Sequence, residues 1–363
     1  MTATPSPAEL LASRLPAILD AAPAPPDADE RLGVSRENRP IRGFRFGRGP
    51  LRVSLLGGCH ADEPTGPRLL RRLATHLGSL PPGDPLLERC EWWILPHLNP
   101  DGEARNRPWQ TPGAPAYDLP DYLLHAQREA PGDDIEFGFP RGADDEAARP
   151  ENRAALAWWR ESAGPFALHA SLHGMAFGGG PWFLVERAWS ERCDRLMGRC
   201  VAETRALGYR LHDVDRRGEK GFDRLGPGFA TRPDSRAMRA WFEARGDYET
   251  AGRFRPSSME SVRALGGDPL TVVSEMPLFV TPGVGERLGP PDPAAETWRE
   301  RIEAWRRALH EASASGDALE ETTSRVRREA AAAGLSAMPV HDQMTLQWTL
   351  VSAGIDEAAR AAG

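Results

Sequence analysis

Lysine is nearly absent from this chain. A single one, Lys220, stands among 45 basic residues in 363, so arginine carries almost all of the positive charge. That skew reads as genomic base composition rather than function. Cysteine is scarce as well. Four are too few for a disulfide framework at this length, and they predict a reduced, cytoplasmic protein. No apolar run is long enough to cross a bilayer, and Met1 to Leu10 hold no basic segment, so neither a membrane span nor a signal peptide is expected. An excess of positive charge is also missing. With 45 basic residues against 52 acidic ones and a net charge of −7, the chain offers nothing for nucleic acid or an anionic membrane.

What is present is an alternation of apolar runs and helical patterns. Residues 50–58 form an apolar run bounded by glycines, which suits a strand buried on both faces. Residues 66–77 follow with Leu69, Leu70, Leu73 and Leu77 at helical spacing. Strands are predicted again at 91–97, 166–173, 182–186 and 270–276, and helices at 8–19, 150–162, 188–207, 297–310 and 319–333. This pattern predicts an α/β fold: a single mixed, largely parallel β-sheet with helices on both faces. The stretches 99–150 and 209–255 read as irregular, and the tail from 338 carries no assignment. Long loops of that kind in a compact domain are commonly functional.

The polar residues fall where such folds gather ligands, at the C-terminal ends of strands. His60 and Glu63 are three apart, just after the first buried strand. An imidazole nitrogen and a carboxylate oxygen suit zinc, and a catalytic zinc needs one further protein ligand and an open position. His173 ends the strand at 166–173 and is the third candidate. His169, four residues back on the same strand face, reads as a buried, hydrogen-bonded residue. Glu275 lies at the end of an otherwise apolar strand, where a carboxylate must be paired, hydrogen-bonded or kept for chemistry. It is the candidate base. Asn99-Pro-Asp-Gly102 has turn chemistry and places Arg105 and Arg107 at the rim of the same cleft. Cys59 points away from His60 by alternation and reads as packing. His97 reads as a residue that orients a ligand or a loop.

Taken together, His60-Ala-Asp-Glu63, Asn99-Pro-Asp-Gly102 with Arg105, Ser171-Leu-His173 and Glu275 resemble the zinc metallocarboxypeptidases of the carboxypeptidase A superfamily, peptidase family M14, in order and approximate spacing. The lead-in Ser35-Arg-Glu-Asn-Arg-Pro-Ile41 is similar too. The resemblance implies one zinc per chain held by His60, Glu63 and His173, with water in the open position. It further implies Glu275 as general base and then acid, and Arg105 polarising the scissile carbonyl. The organisation it suggests is an N-terminal arm at 1–40, a catalytic domain at 41–315 and a helical extension at 316–363.

Two departures bear on the substrate. Where the family carries an Asn-Arg pair that grips the substrate carboxylate, Asp134-Ile-Glu-Phe-Gly-Phe-Pro140 has Glu136 and Phe137. Arg107, Arg141 or an arginine from 216–255 can substitute in that role. Tyr248 falls in the region of the mobile tyrosine that some members place over the substrate. The expectation is therefore a zinc hydrolase that cuts an amide near the free carboxylate of a peptide. The alternatives are a deacylase or amidase acting on N-acyl amino acids or muropeptides, and a zinc-binding protein without catalysis.

Overall fold

The computed structural model describes residues 7–23, 30–130, 133–142, 144–316 and 318–362; parts of the ranges read as arm and extension lie outside them. Ten strands are described: β1 (Glu30–Val34), β2 (Pro40–Phe46), β3 (Leu51–Gly57), β4 (Cys90–Leu95), β5 (Leu168–Gly178), β6 (Trp182–Glu186), β7 (Arg224–Gly226), β8 (Phe229–Arg232), β9 (Leu270–Val280) and β10 (Ser336–Ala337). They form one sheet in the order β1-β2-β4-β3-β5-β9-β6-β8-β7, with β10 paired to β9. The centre, β4-β3-β5-β9, is parallel; antiparallel pairings join β2 to β4 and β6 to β9. The sheet is therefore mixed, with its parallel part in the middle.

Strand alternation divides the core in two. Val53 and Leu55 of β3, with Trp92 and Ile94 of β4, face one apolar cluster. Leu56, Trp93 and Leu95 face the other. Helices cover both faces: α1 (Pro7–Asp20), α2 (Thr65–Ser79), α3 (Pro85–Arg89), α4 (Pro100–Asn106), α5 (Leu119–His125), α6 (Pro150–Trp159), α7 (Asp194–Ala206), α8 (Ser235–Glu243), α9 (Tyr248–Arg253), α10 (Ser258–Arg263), α11 (Pro293–Ser315), α12 (Leu319–Ala332) and α13 (Val340–Ala362). Leu69, Leu70, Leu73 and Leu77 of α2 join the first cluster, whereas Ala155, Trp158 and Trp159 of α6 and Val262 of α10 join the second.

The sequence pattern left the tail unassigned, and here it is α13, a 23-residue helix. It runs against α1, α2, α7 and strands β5 and β9, with residues buried around most of its circumference. A helix buried on nearly all sides, here with Gln343, Gln347 and Ser352 among its buried residues, lacks the apolar stripe by which periodicity identifies one. Trp348 stacks on Trp92 at 6.5 Å, and its indole N–H donates to the Leu11 carbonyl at 3.0 Å. Residues 30–46, read mostly as arm, hold β1 and β2, which extend the sheet beyond β4. The stretch 209–255, read as irregular, holds β7, β8, α8 and α9.

Candidate metal centre and cleft

Three strand ends build the site. β3 stops at Gly57, and Gly58 turns the chain in the left-handed region at φ +65°, where an added Cβ would sit 2.5 Å from the His97 ring. The turn leads directly to His60 and then Glu63, just ahead of α2. Gly66 lets the first turn of that helix close on β5; a Cβ there would lie 2.4 Å from the Leu172 carbonyl oxygen. His173 is thereby brought against Glu63. In the parallel pairing of β5 and β9, Glu275 is the direct neighbour of His173.

His60 Nδ1 lies 2.8 Å from Glu63 Oε1, and His173 Nδ1 lies 2.8 Å from Glu63 Oε2. The two Nδ1 atoms are 3.2 Å apart. Two nitrogens each about 2.0–2.1 Å from one ion adopt a spacing of that order. Two neutral nitrogens and one carboxylate oxygen, all within 4.8 Å of one another, form a donor set that fits zinc. The electrostatics point the same way. Burial opposes the charge on Glu63, but His60, Arg128 and His173 hold its carboxyl well below the ordinary range. Burial likewise opposes an imidazolium at His173, yet Glu63 and Glu136 raise it well above its ordinary value. The site thus calls for positive charge at the point where the three donors meet.

Glu136 supports this set from behind. Its Oε2 lies 3.1 Å from His173 Nε2, and Ser171 Oγ lies 2.8 Å from the same nitrogen. Its Oε1 accepts from Arg232 and, at 3.0 Å, from Ser258 Oγ. Burial disfavours this carboxylate, but Arg232 and His173 hold it ionised. Cys59, Glu136 and His173 form a second group of converging donors. Burial pushes the Cys59 thiol up to about 12, so it stays protonated and is a poor ligand.

Glu275 is half-buried, and its desolvation together with the Glu63 charge pushes its carboxyl up to about 7. It lines a cavity of about 140 Å³ with His60, His173, Phe137, Phe222 and Arg232. Arg232 is itself buried, with its guanidinium 5.1 Å over the Phe137 ring. Sequence reading had no means of choosing it among the arginines of 216–255; its mark is a strand position, the end of the buried run Phe229-Ala-Thr-Arg.

The arginine beside the candidate metal ligands is Arg128. Its Nη2 lies 3.0 Å from Glu63 Oε1, and its Nη1 lies 3.2 Å from Asp62 Oδ1. Its side chain is 46% exposed; desolvation works against its charge, but Glu63, Asp62 and Glu275 raise its pKa. Glu129 fixes the loop by accepting from Asn99 Nδ2 at 2.5 Å and from the Ala61 N–H at 3.2 Å. A signal for Arg128 exists in the sequence, since it is the arginine that immediately precedes the Asp134-to-Pro140 stretch. Arg105, by contrast, sits on Glu37 at 2.6 Å, with Glu129 at 3.8 Å. The Asn-Pro-Asp-Gly turn has a structural task. Asn99 Oδ1 caps α4 through the Gly102 N–H, and Asp101 accepts from Ser35 Oγ at 2.5 Å and Arg39 at 2.8 Å.

The remaining candidates lie elsewhere. Arg107 and His97 line hollows on the far side of the 60–64 loop. Arg141 donates to the Gly252 and Phe254 carbonyls. Tyr248 begins α9 and is 71% exposed. His169 is buried, with its Nδ1 3.0 Å from Ser54 Oγ and Trp159 against its ring.

Comparison with known proteins gives a match to the zinc carboxypeptidase family model over residues 28–177. The inactive metallocarboxypeptidase ecm14 of Talaromyces marneffei is 36% identical over 84 residues, 20% of this chain and 14% of that one. Carboxypeptidase D of Anas platyrhynchos is 35% identical over 132 residues, 34% of this chain and 9% of that one. The chain therefore spans only a small part of these relatives' length. The crystal structure of a metallo-carboxypeptidase from Burkholderia cenocepacia overlays with a TM-score of 0.43 at 13% identity, covering 96% of this chain and 68% of that one.

Proposed function

We propose, from the match of residues 28–177 to the zinc carboxypeptidase family model, that the chain is a zinc-dependent hydrolase, a metallocarboxypeptidase that cleaves an amide bond next to the free carboxylate of a peptide. The observation that carries the reading is the meeting of His60, Glu63 and His173 with Glu275 beside them on the neighbouring strand. Zinc bound by those three supplies a Lewis acid for the carbonyl oxygen and makes a water acidic enough to attack near neutral pH.

The chain's own residues do the rest. Glu275, with its carboxyl raised to about 7, takes a proton from the attacking water and passes it to the leaving amine. Charge developing on the carbonyl oxygen is met by Arg128, the cation held next to Glu63. Arg232 is the arginine of the cavity wall and takes the substrate carboxylate, in place of the Asn-Arg pair that Glu136 and Phe137 replace. Four free, buried cysteines support a reducing compartment such as the cytoplasm.

A second reading is favoured by one contact. Arg232 is already paired with Glu136, which lessens its pull on a substrate carboxylate and leaves selection to the acyl side of the amide, as in a deacylase of N-acyl amino acids or a muropeptide amidase. Hydrolysis of C-terminal peptides against N-acyl amino acids, by wild type and Arg232→Gln, separates the two. A carboxypeptidase prefers the peptides and loses about tenfold or more in KM with the variant. A preference for N-acyl amino acids gives the second reading. No turnover on either set leaves a binding protein, against which the presence of Glu275 argues.

A further inference from the structure

Behind the loop that carries His60 and Glu63 lies a cleft of about 790 Å³ along α2, bounded by Arg68, Arg71, Arg72 and Arg107. It shares Arg71, His97, Glu103 and Arg107 with an adjoining hollow of about 460 Å³, whose wall also includes Arg42 and Arg39, the latter paired with Asp101. Among the described residues lining the two, Glu103 is the one carboxylate. So many guanidinium groups around one space stand out in a chain whose net charge is −7.

Arg39 and Arg71 are paired with carboxylates, whereas Arg68 and Arg72 are held in place without being neutralised. Arg71 grips Glu103 with both nitrogens, at 2.6 and 2.9 Å. Arg68 donates to the Tyr117 hydroxyl and the Ala114 carbonyl, and Arg72 to the Leu19 and Ala21 carbonyls. Carbonyls and a phenol fix a guanidinium but leave its charge. The Arg72 Nε–H is buried with no partner, and its pKa is lowered by burial and by the like charge of Arg68 one turn away. His97 adds a neutral donor. Its Nδ1 accepts from the Asn99 N–H, which places the ring proton on Nε2, and burial holds it uncharged. A space walled by fixed cations and N–H donors, with one acceptor already taken, matches a ligand made of acceptors.

We propose that this cleft binds a small polyanion, of the phosphate or polycarboxylate kind. The two hollows share no lining residue with the metal cavity, so this is a separate site. Pro64, directly after Glu63, lies in its wall, and Gln110 from the same wall reaches the Ala61 carbonyl at 3.4 Å. An anion bound there therefore contacts the backbone that sets the metal ligands.

The test is calorimetric titration of the zinc-loaded full chain with inorganic phosphate and, separately, propane-1,2,3-tricarboxylate, at constant ionic strength. Saturable one-site binding of at least one anion is expected at millimolar concentration or below. It should weaken about tenfold in Arg68→Gln/Arg107→Gln and persist in His173→Ala, which lacks the metal arrangement. Which anion binds identifies the ligand class. Arg107→Gln alone serves as the second variant, because its exposed side chain can be lost without unfolding the protein, and it should weaken binding measurably. Absence of binding by either anion, binding unchanged in both arginine variants, or binding lost in His173→Ala would overturn the proposal.

Discussion

Glu136 Oε2 stands 3.1 Å from His173 Nε2, on the side of the ring opposite the Nδ1 that faces Glu63. A carboxylate in that place fixes the ring's orientation and tautomer and makes the free nitrogen a better donor. The residue that marks the departure from the family's carboxylate-gripping pair is thus bound into the metal centre itself.

Replacing Glu136 by Gln should therefore weaken zinc binding by roughly 10–100-fold, the range typical of lost outer-sphere carboxylates. Competition with a chromophoric chelator reads this directly. Ser171 still touches His173 Nε2 at 2.8 Å, so metal is retained at saturating zinc. An unchanged affinity would show that Glu136 serves only to hold Arg232.

Arg128 and Arg105 should respond differently to the same substitution. Arg128→Gln removes the cation beside Glu63 and is expected to lower kcat by roughly 10²–10³-fold, the cost of losing one oxyanion donor. Arg105→Gln breaks a half-exposed pair with Glu37, worth on the order of 0–1 kcal/mol, and should leave kcat within a few-fold of wild type. Equal losses in the two variants would contradict the assignment.

Glu103 gives a pH dependence of stability. Burial opposes its charge, but the His97 ring, once protonated below about pH 4, and the bidentate Arg71 lower its pKa to about 2 in the folded chain, from an ordinary 4.5. A carboxyl depressed on folding contributes stability that is full above its unfolded pKa and is lost as pH falls through the folded one. Glu103→Gln should lower Tm near neutral pH and flatten the fall in stability between pH 4.5 and pH 2. Parallel wild-type and variant Tm profiles across that window would count against the pair.

Much of this site was legible in the sequence, for a physical reason. His60, Glu63, His173 and Glu275 sit at the ends of apolar strands, where periodicity breaks and polar residues stand out. The parallel centre followed from strands alternating with helices. Arg128 and Arg232 were harder to find, because a side chain on a loop or a short strand carries no periodic signal in a chain so rich in arginine. Their places depend on long-range contacts: Glu129 with Asn99 and Ala61, and Arg232 with Glu136. The bounds of α13 within the expected helical extension carry no periodic signal because the helix is buried nearly all round, although its Gln347 Nε2 donates to the His173 carbonyl at 3.2 Å and so supports the candidate ligand from below.

The central claim is a metal-dependent hydrolase in which Glu275 handles the proton. Measuring zinc content and turnover together in Glu275→Gln tests it most directly. The account predicts one zinc per chain, as in wild type, with kcat lower by about 10²–10⁴-fold on the best substrate found. Zinc at full stoichiometry with undiminished turnover would contradict it.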